Sequence, residues 1–154
     1  MLALVLAAAL AASSAPPSDL TRSTLSDVCL PYVTGEASDT AALEFLGFVP
    51  TTADDDETHN YQSEDEAYLL RMTTTGSADD GNLNRACVIQ ARRGGFEAAN
   101  RSIQPVLQER GFIPEADLPT GRAIWTKGGV TVSLRQNPGA AAVVRVTYST
   151  LDAG

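Results

Sequence analysis

The sequence contains a single histidine, His59, and only two cysteines, which are not in Cys-x-x-Cys spacing. A lone histidine with no cysteine nearby cannot supply the ligands of a zinc site, and it leaves little from which to build a Ser-His-Asp or Cys-His arrangement. No serine stands in Gly-x-Ser-x-Gly, and there is no glycine-rich phosphate loop. We therefore expect a protein that is not an enzyme and has no metal and no cofactor. A small carboxylate-dependent hydrolase is the alternative, although no spacing among the 19 acidic residues singles out a pair.

Long hydrophobic runs are also lacking. The one extended apolar run, residues 2–12, is followed by small residues and then by Pro16 and Pro17. This order is typical of a secretory signal peptide, and the run is shorter than the roughly 20 residues that a membrane-spanning helix needs. No Lys or Arg precedes the run, which departs from the signal pattern. A retained N-terminal anchor is the alternative to export. We predict a signal peptide over residues 1–14 and a periplasmic or secreted mature protein.

Basic residues are few. The chain has 11 Lys and Arg against 19 Asp and Glu, which gives a net charge of −8 and a pI near 4.5. Such a surface repels phosphate backbones and anionic lipid head groups. We expect no nucleic-acid partner and no membrane span after signal cleavage. The predicted partner is another protein in the cell envelope or outside the cell.

The two cysteines, Cys29 and Cys87, form an even count in a chain that we expect to be exported, which favours one disulfide. Helical spacing over residues 25–33 places Cys29 on the apolar face, and strand alternation places Cys87 on the same face as Ile89. We predict the bond Cys29–Cys87, which would close a long loop and stabilise the fold.

One short motif occurs twice: "LEFLGFVP" from Leu43 and "LQERGFIP" from Leu107. Both read as helix ends in which Gly adopts the left-handed conformation and the following Phe contacts the Leu, as in a Schellman cap. A following Pro then prevents the helix from resuming. Further identities at the same offset, Leu70 with Leu134 and Arg71 with Arg135, predict an internal duplication.

Alternating apolar residues after each motif predict strands. Residues 130–135 and 144–148 alternate clearly, as do residues 66–73 and 85–91. A further strand that carries Trp125 completes a three-strand meander with the first two, whereas residues 52–66 form at most a short strand around Tyr61. The predicted fold class is α+β, with a tandem α-β-β-β repeat (about 38–92 and 95–149) forming one antiparallel sheet of five or six strands with helices on one face. We predict a disordered segment over residues 15–24, a single domain over 25–150 and a tail over 151–154. A proline at position 105 is expected to kink the second helix or shift its start.

Two features could bind a partner. The first is the acidic segment 54–66, which we read as a solvated loop around His59. It also matches part of a calcium-loop frame, although histidine stands where that loop needs glycine and the twelfth ligand is Asp, so a calcium-dependent binding module is an alternative. The ligand positions of this frame are Asp54, Asp56, Thr58, Asn60, Gln62 and Asp65. The second is the sheet face away from the helices, with its mixture of Thr, Ser and Arg. The candidate partner-binding residues are Asp54, Asp55, Asp56, Glu57, Arg71, Arg135 and Arg145.

A small acidic exported chain built from tandem α/β repeats and one disulfide is similar in architecture to secreted enzyme-inhibitor proteins such as the β-lactamase inhibitory protein. The export signal, the predicted disulfide, the duplication and the lack of a catalytic constellation favour a non-enzymatic binding protein. We expect an accessory subunit of an envelope assembly or an inhibitor of another protein.

Overall fold

The computed structural model describes residues 20–36, 40–51, 55, 57–139 and 141–151. The helices are α1 (Leu20–Thr24), a π-helical turn (Leu25–Cys29), α2 (Leu30–Thr34), α3 (Ala41–Phe45) and α4 (Gly95–Glu109). The strands are β1 (Phe48–Pro50), β2 (Thr58–Ser63), β3 (Tyr68–Thr75), β4 (Asn84–Ala91), β5 (Ile113–Pro114), β6 (Arg122–Lys127), β7 (Val130–Gln136) and β8 (Ala142–Ser149). The predicted signal peptide and the tail residues 152–154 lie outside the described residues.

All eight strands form one antiparallel sheet, in the order β1-β2-β3-β4-β8-β7-β6-β5. The first four strands follow one another across one half, the last four across the other, and β4 pairs with β8 at the centre. The α+β class and the antiparallel sheet are confirmed. The predicted number of five or six strands is wrong.

The additional strands are short or polar. β1 and β5, of three and two residues, form the two edges, and each ends on the proline of the repeated motif. They are too short for alternation to reveal them. β2 lies inside the segment predicted to be mainly a loop. It forms a strand despite its polar side chains because pairing with β1 and β3 on either side satisfies its backbone groups.

The predicted helix ends are present. In the second copy the N–H of Phe112 donates to the carbonyl of Leu107 at 2.9 Å, and the N–H of Gly111 donates to that of Gln108 at 3.0 Å, which is the Schellman pair of bonds. Gly111 has a φ of 78° and Gly47 a φ of 77°. The leucine and phenylalanine of both copies are buried. The predicted Schellman cap is therefore confirmed for the second copy, whereas in the first copy the N–H of Gly47 donates to the carbonyl of Glu44 at 3.0 Å.

The N-terminal helix consists of α1, the π turn and α2, which continue without a break until Gly35 adopts the left-handed conformation. It begins at Leu20, and Thr21 and Thr24 are buried. Residues 20–24 of the predicted disordered segment 15–24 are therefore helical and pack against α4, and residues 15–19 lie outside the described residues. Helix α4 starts at Gly95 and continues past Pro105, so the proline does not shift its start.

One face of the sheet and the helices form a single core. Buried strand residues such as Leu70, Ile89, Val144 and Leu134 lie in register across the sheet. The N-terminal helix packs on β4 and β8, and α4 packs on β6, β7 and β8. This arrangement leaves the opposite face of the sheet without a covering helix among the described residues.

The predicted disulfide is present at the centre of this core. Cys29 in the π turn is bonded to Cys87 in β4, with the Cα atoms 5.3 Å apart, and both residues are fully buried. A disulfide of this kind fits an extracellular or periplasmic location. Among the described residues, every helix is too short or too polar to span a bilayer.

The two copies of the repeated motif begin 64 residues apart, at Leu43 and Leu107, and the strands keep this offset only in part. β6 begins and ends 64 positions after β2, but β7 begins only 62 positions after β3. In consequence Tyr61 pairs with Leu70, whereas Trp125 pairs with Val132 and Leu134 pairs with Ala123. The matched residues Arg71 and Arg135 therefore do not occupy equivalent places in the two hairpins.

Candidate partner-binding face

The uncovered side of the sheet, called here the open face, is built by strand alternation. In each central strand the residues between the core positions point away from the helices. On β8, for example, Val144 and Val146 are buried while Arg145 between them is exposed. The same alternation on β3 and β7 leaves Arg71 and Arg135 exposed.

Three rows of side chains cross the open face, and each row runs from β2 through β3, β4, β8 and β7 to β6. The first row is Asn60, Arg71, Val88, Arg145, Ser133 and Ile124. The second row is Gln62, Leu69, Gln90, Val143, Arg135 and Arg122. The third row is Thr58, Thr73, Ala86, Thr147, Thr131 and Thr126.

The charge of the open face is opposite to that of the protein. The three rows contain four arginines and no aspartate or glutamate, although the chain as a whole carries a net charge of −8. All four arginines are exposed. The acidic residues of the described chain therefore lie at the ends of the strands, in the turns and on the helices.

The arginines form an arc. Arg122 and Arg135 are directly opposite each other on β6 and β7, a position in which like charges repel. Arg145 is the diagonal neighbour of Arg135, about 7–8 Å away. Arg71 lies two strands beyond Arg145, about 10 Å away. Arg71 Nε donates to Asn60 Oδ1 at 3.0 Å, and no ion pair within the described chain neutralises any of the four.

The surface between the arginines is recessed. One depression of about 440 Å³ is lined by Arg71, Val88, Arg135 and Arg145 among others. A second, of about 420 Å³, shares Arg71 and Val88 with it and extends towards β2. Val143, only 6% exposed, lies at the bottom of the first. The open face is thus a shallow cationic surface with apolar side chains at its base.

Two of the four predicted acidic residues, Asp55 and Glu57, lie at the start of β2. Asp54 and Asp56 fall outside the described residues. Asp55 Oδ1 accepts hydrogen bonds from the backbone N–H groups of Glu57 and Thr58, so this carboxylate caps the start of β2. Glu57 is exposed, and its carbonyl accepts a hydrogen bond from the N–H of Thr74. The structure therefore brings together the three predicted arginines and leaves the two described acids at one end of β2.

Part of the segment that matches the calcium-loop frame forms an extended strand. Thr58, Asn60 and Gln62, three of its ligand positions, are alternate residues of β2 and lie about 6.7 Å apart along the strand. Calcium ligands must all lie within about 2.6 Å of one ion, which an extended strand cannot provide. His59, expected in a loop, lies on β2 and is half-buried. The strand geometry counts against the calcium frame.

The later part of the acidic segment forms a local turn. Ser63 Oγ donates to Asp65 Oδ1 at 2.7 Å, and the N–H of Ala67 donates to the same oxygen at 3.1 Å. With the Arg93 guanidinium 3.8 Å from the other carboxylate oxygen, these groups hold the pKa of Asp65 below its ordinary value, and the Ser63 hydrogen bond contributes most. The carboxylate of Asp65 stabilises the turn between β2 and β3.

Sequence reasoning missed Arg122, the fourth arginine of the arc. The signal was present in the turn between β6 and β7, where Gly128 and Gly129 form a two-residue hairpin. Such a turn fixes the register, and counting back from Lys127 opposite Val130 places Arg122 opposite Arg135. The pairing of β4 with β8, which brings Arg71 within reach of Arg145, has no local signal of this kind.

Comparison with known proteins finds no family model, no curated protein and no solved structure that matches this chain.

Proposed function

We propose that this protein is an exported, non-enzymatic binding protein whose open face docks onto another protein, either as an accessory subunit of an envelope assembly or as an inhibitor. The observation that supports this most directly is the large sheet face that no described helix covers. A sheet of this size with one packed face leaves about 600 Å² across its six inner strands and three rows, given strand and residue spacings of about 4.8 and 3.4 Å and the reach of the side chains. With its rim, such a face approaches the roughly 800 Å² that one partner contributes to a standard interface.

The composition of the face supports the same proposal. Arginine is enriched at protein interfaces, and apolar residues surrounded by polar ones are typical of an interface core. Val143 and Val88 lie between the arginines, and threonines form one border. The predicted signal peptide and the buried disulfide support a site of action in an oxidising compartment.

The proposal includes a duplicated origin for the two halves. The matching helix caps, the equal offset of β2 and β6, and the equivalent order of four strands on each side of the β4–β8 pair support it. A duplication explains why a short chain has so wide a sheet, because neither half could bury its apolar face without the other.

Photo-crosslinking in the organism that encodes the protein tests the docking function. A photoreactive phenylalanine replaces Ser133 at the centre of the open face or, as the matched control, Gln104, which is exposed on α4. We expect one protein adduct of fixed mass from position 133 and none from position 104. An absence of adducts, or the same adducts from both positions, would contradict a partner on the open face.

A further inference from the structure

We infer that the open face recognises an acidic polypeptide segment of its partner, with the four arginines as the groups that bind its carboxylates. This inference rests on the proposed function and adds the chemistry of the partner. The three rows hold four positive charges and no negative one on a protein whose net charge is −8. A surface that merely keeps an acidic protein soluble has no reason to concentrate cations in this way, whereas electrostatic complementarity to an acidic partner requires it.

The opposed pair Arg122 and Arg135 is the second observation. Like charges directly opposite each other across two strands destabilise a sheet, and no carboxylate of the described chain pairs with either residue. An anion placed between them would remove the repulsion and form charge-assisted hydrogen bonds to both guanidinium groups. This pair is therefore arranged for a negative group that the described residues do not provide.

The spacing of the arginines favours several separate carboxylates over one phosphate. Phosphate sites in proteins commonly use backbone N–H groups at helix N-termini or in nests, but the backbone of the central strands is engaged in the sheet ladder. The steps of the arc, about 5 to 10 Å between neighbouring arginines, are close to the roughly 6.7 Å that separates side chains on one side of an extended chain. An extended acidic segment can thus place successive carboxylates near successive guanidinium groups.

The apolar side chains at the base of the open face also favour a polypeptide partner. Val143, Val88 and Ile124 lie between or beside the arginines, and they offer contact to aliphatic side chains of a polypeptide. A polyphosphate or a sugar phosphate has no apolar groups for these positions. A protein loop that alternates acidic and apolar residues fits both parts of the surface.

The test measures the binding of a labelled poly-L-glutamate peptide to the purified, oxidised full chain by fluorescence anisotropy at low salt. The net charge of the protein opposes this interaction, so binding requires a local cationic surface. The face variant is Arg135→Gln/Arg145→Gln, and the matched control is Arg22→Gln/Arg101→Gln, which removes the same charge from exposed helical positions. We expect the face variant to raise the Kd at least about fivefold, as for the loss of two exposed charge pairs, and the control to leave it nearly unchanged.

The salt dependence of binding and the binding of a second polyanion provide two further measurements. The affinity of the wild-type protein should fall as ionic strength rises from about 0.01 to about 0.15 M, where the Debye length shortens from about 30 to about 8 Å. Polyphosphate of matched charge should bind more weakly than poly-L-glutamate. The single variant Arg145→Gln should show a smaller loss, so that the inference can be tested even if the double variant folds poorly.

Four outcomes would overturn the inference. They are no binding of poly-L-glutamate at low salt, equal losses in the face and control variants, tighter arginine-dependent binding of polyphosphate, and arginine-dependent self-association of the protein, which would make a second copy the occupant. A partner adduct at position 133 together with no poly-L-glutamate binding would retain the docking function and refute the acidic segment.

Discussion

The disulfide between Cys29 and Cys87 should supply a large share of the stability of this protein. It closes a loop with a sequence separation of 58 residues and joins the π turn of the N-terminal helix to the central strand β4. In the chain-entropy model, a loop of that length stabilises the folded state by about 4 kcal/mol, because the bond restricts the unfolded chain. Small domains have a total free energy of unfolding of roughly 5–15 kcal/mol. The double variant Cys29→Ala/Cys87→Ala should therefore fold but be only marginally stable.

Urea unfolding followed by circular dichroism measures the loss. We expect the free energy of unfolding to fall by about 4 kcal/mol and the Tm to fall by roughly 15 °C. The far-UV spectrum at low denaturant should stay native-like, because Leu25, Val28 and Val33 still bury the N-terminal helix against the sheet. A reductant should lower the stability of the wild-type protein by a similar amount and leave the variant unaffected. A loss below about 1 kcal/mol, far under the loop-entropy value, would refute the reasoning, as would a reductant effect on the variant.

Three further predictions follow from local features. Arg122→Gln should raise the free energy of unfolding at low salt by about 0.5 kcal/mol, because it removes a like-charge pair. This gain in stability should vanish near 1 M salt, where the Debye length is about 3 Å. Thermal unfolding at both salt concentrations measures the effect, and a variant less stable than the wild type at low salt would contradict it. Gly111→Ala should cost about 1–2 kcal/mol in urea unfolding because φ is 78°, whereas Gly111→Asn should cost less; equal losses would show that the left-handed conformation is not the cause. The pKa of Asp65 is lowered in the folded state, so the contribution of this carboxylate to stability is present above the ordinary carboxyl pKa and is lost as pH falls through the lowered value. The stability difference between the wild-type protein and Asp65→Asn should therefore shrink over that acidic range in a pH series of unfolding curves. A stability difference that grows as pH falls would contradict this prediction.

The sequence predicted those parts of the fold that depend on short-range patterns. The glycine, leucine and phenylalanine of the repeated motif specify a helix cap through bonds within six residues, and this cap is present at Gly111. Strands β3, β4, β7 and β8 alternate strongly enough to be recognised. The parts that were missed depend on partners far along the chain. β2 is a strand because β1 and β3 flank it, and α1 is ordered because it packs against α4.

The same division applies to the candidate site. The exposure of Arg71, Arg135 and Arg145 follows from strand alternation alone, and the structure places all three on the open face. Their mutual arrangement depends on the β4–β8 pairing, which no turn in the sequence specifies. The negative net charge of the chain did not indicate the cationic character of the face, because a net charge sums over surfaces that the fold separates.

The two edge strands have a consequence for how the protein survives at high concentration. An exposed sheet edge presents unpaired backbone groups that can recruit another chain and start aggregation. Here the edges are only three and two residues long, and each ends in a proline, Pro50 or Pro114, which has no N–H to offer a new strand. A wide sheet would otherwise be open to fibril growth from both sides. The repeated motif thus ends a helix and, a few residues later, also places at the sheet edge a proline that disfavours pairing with a second sheet.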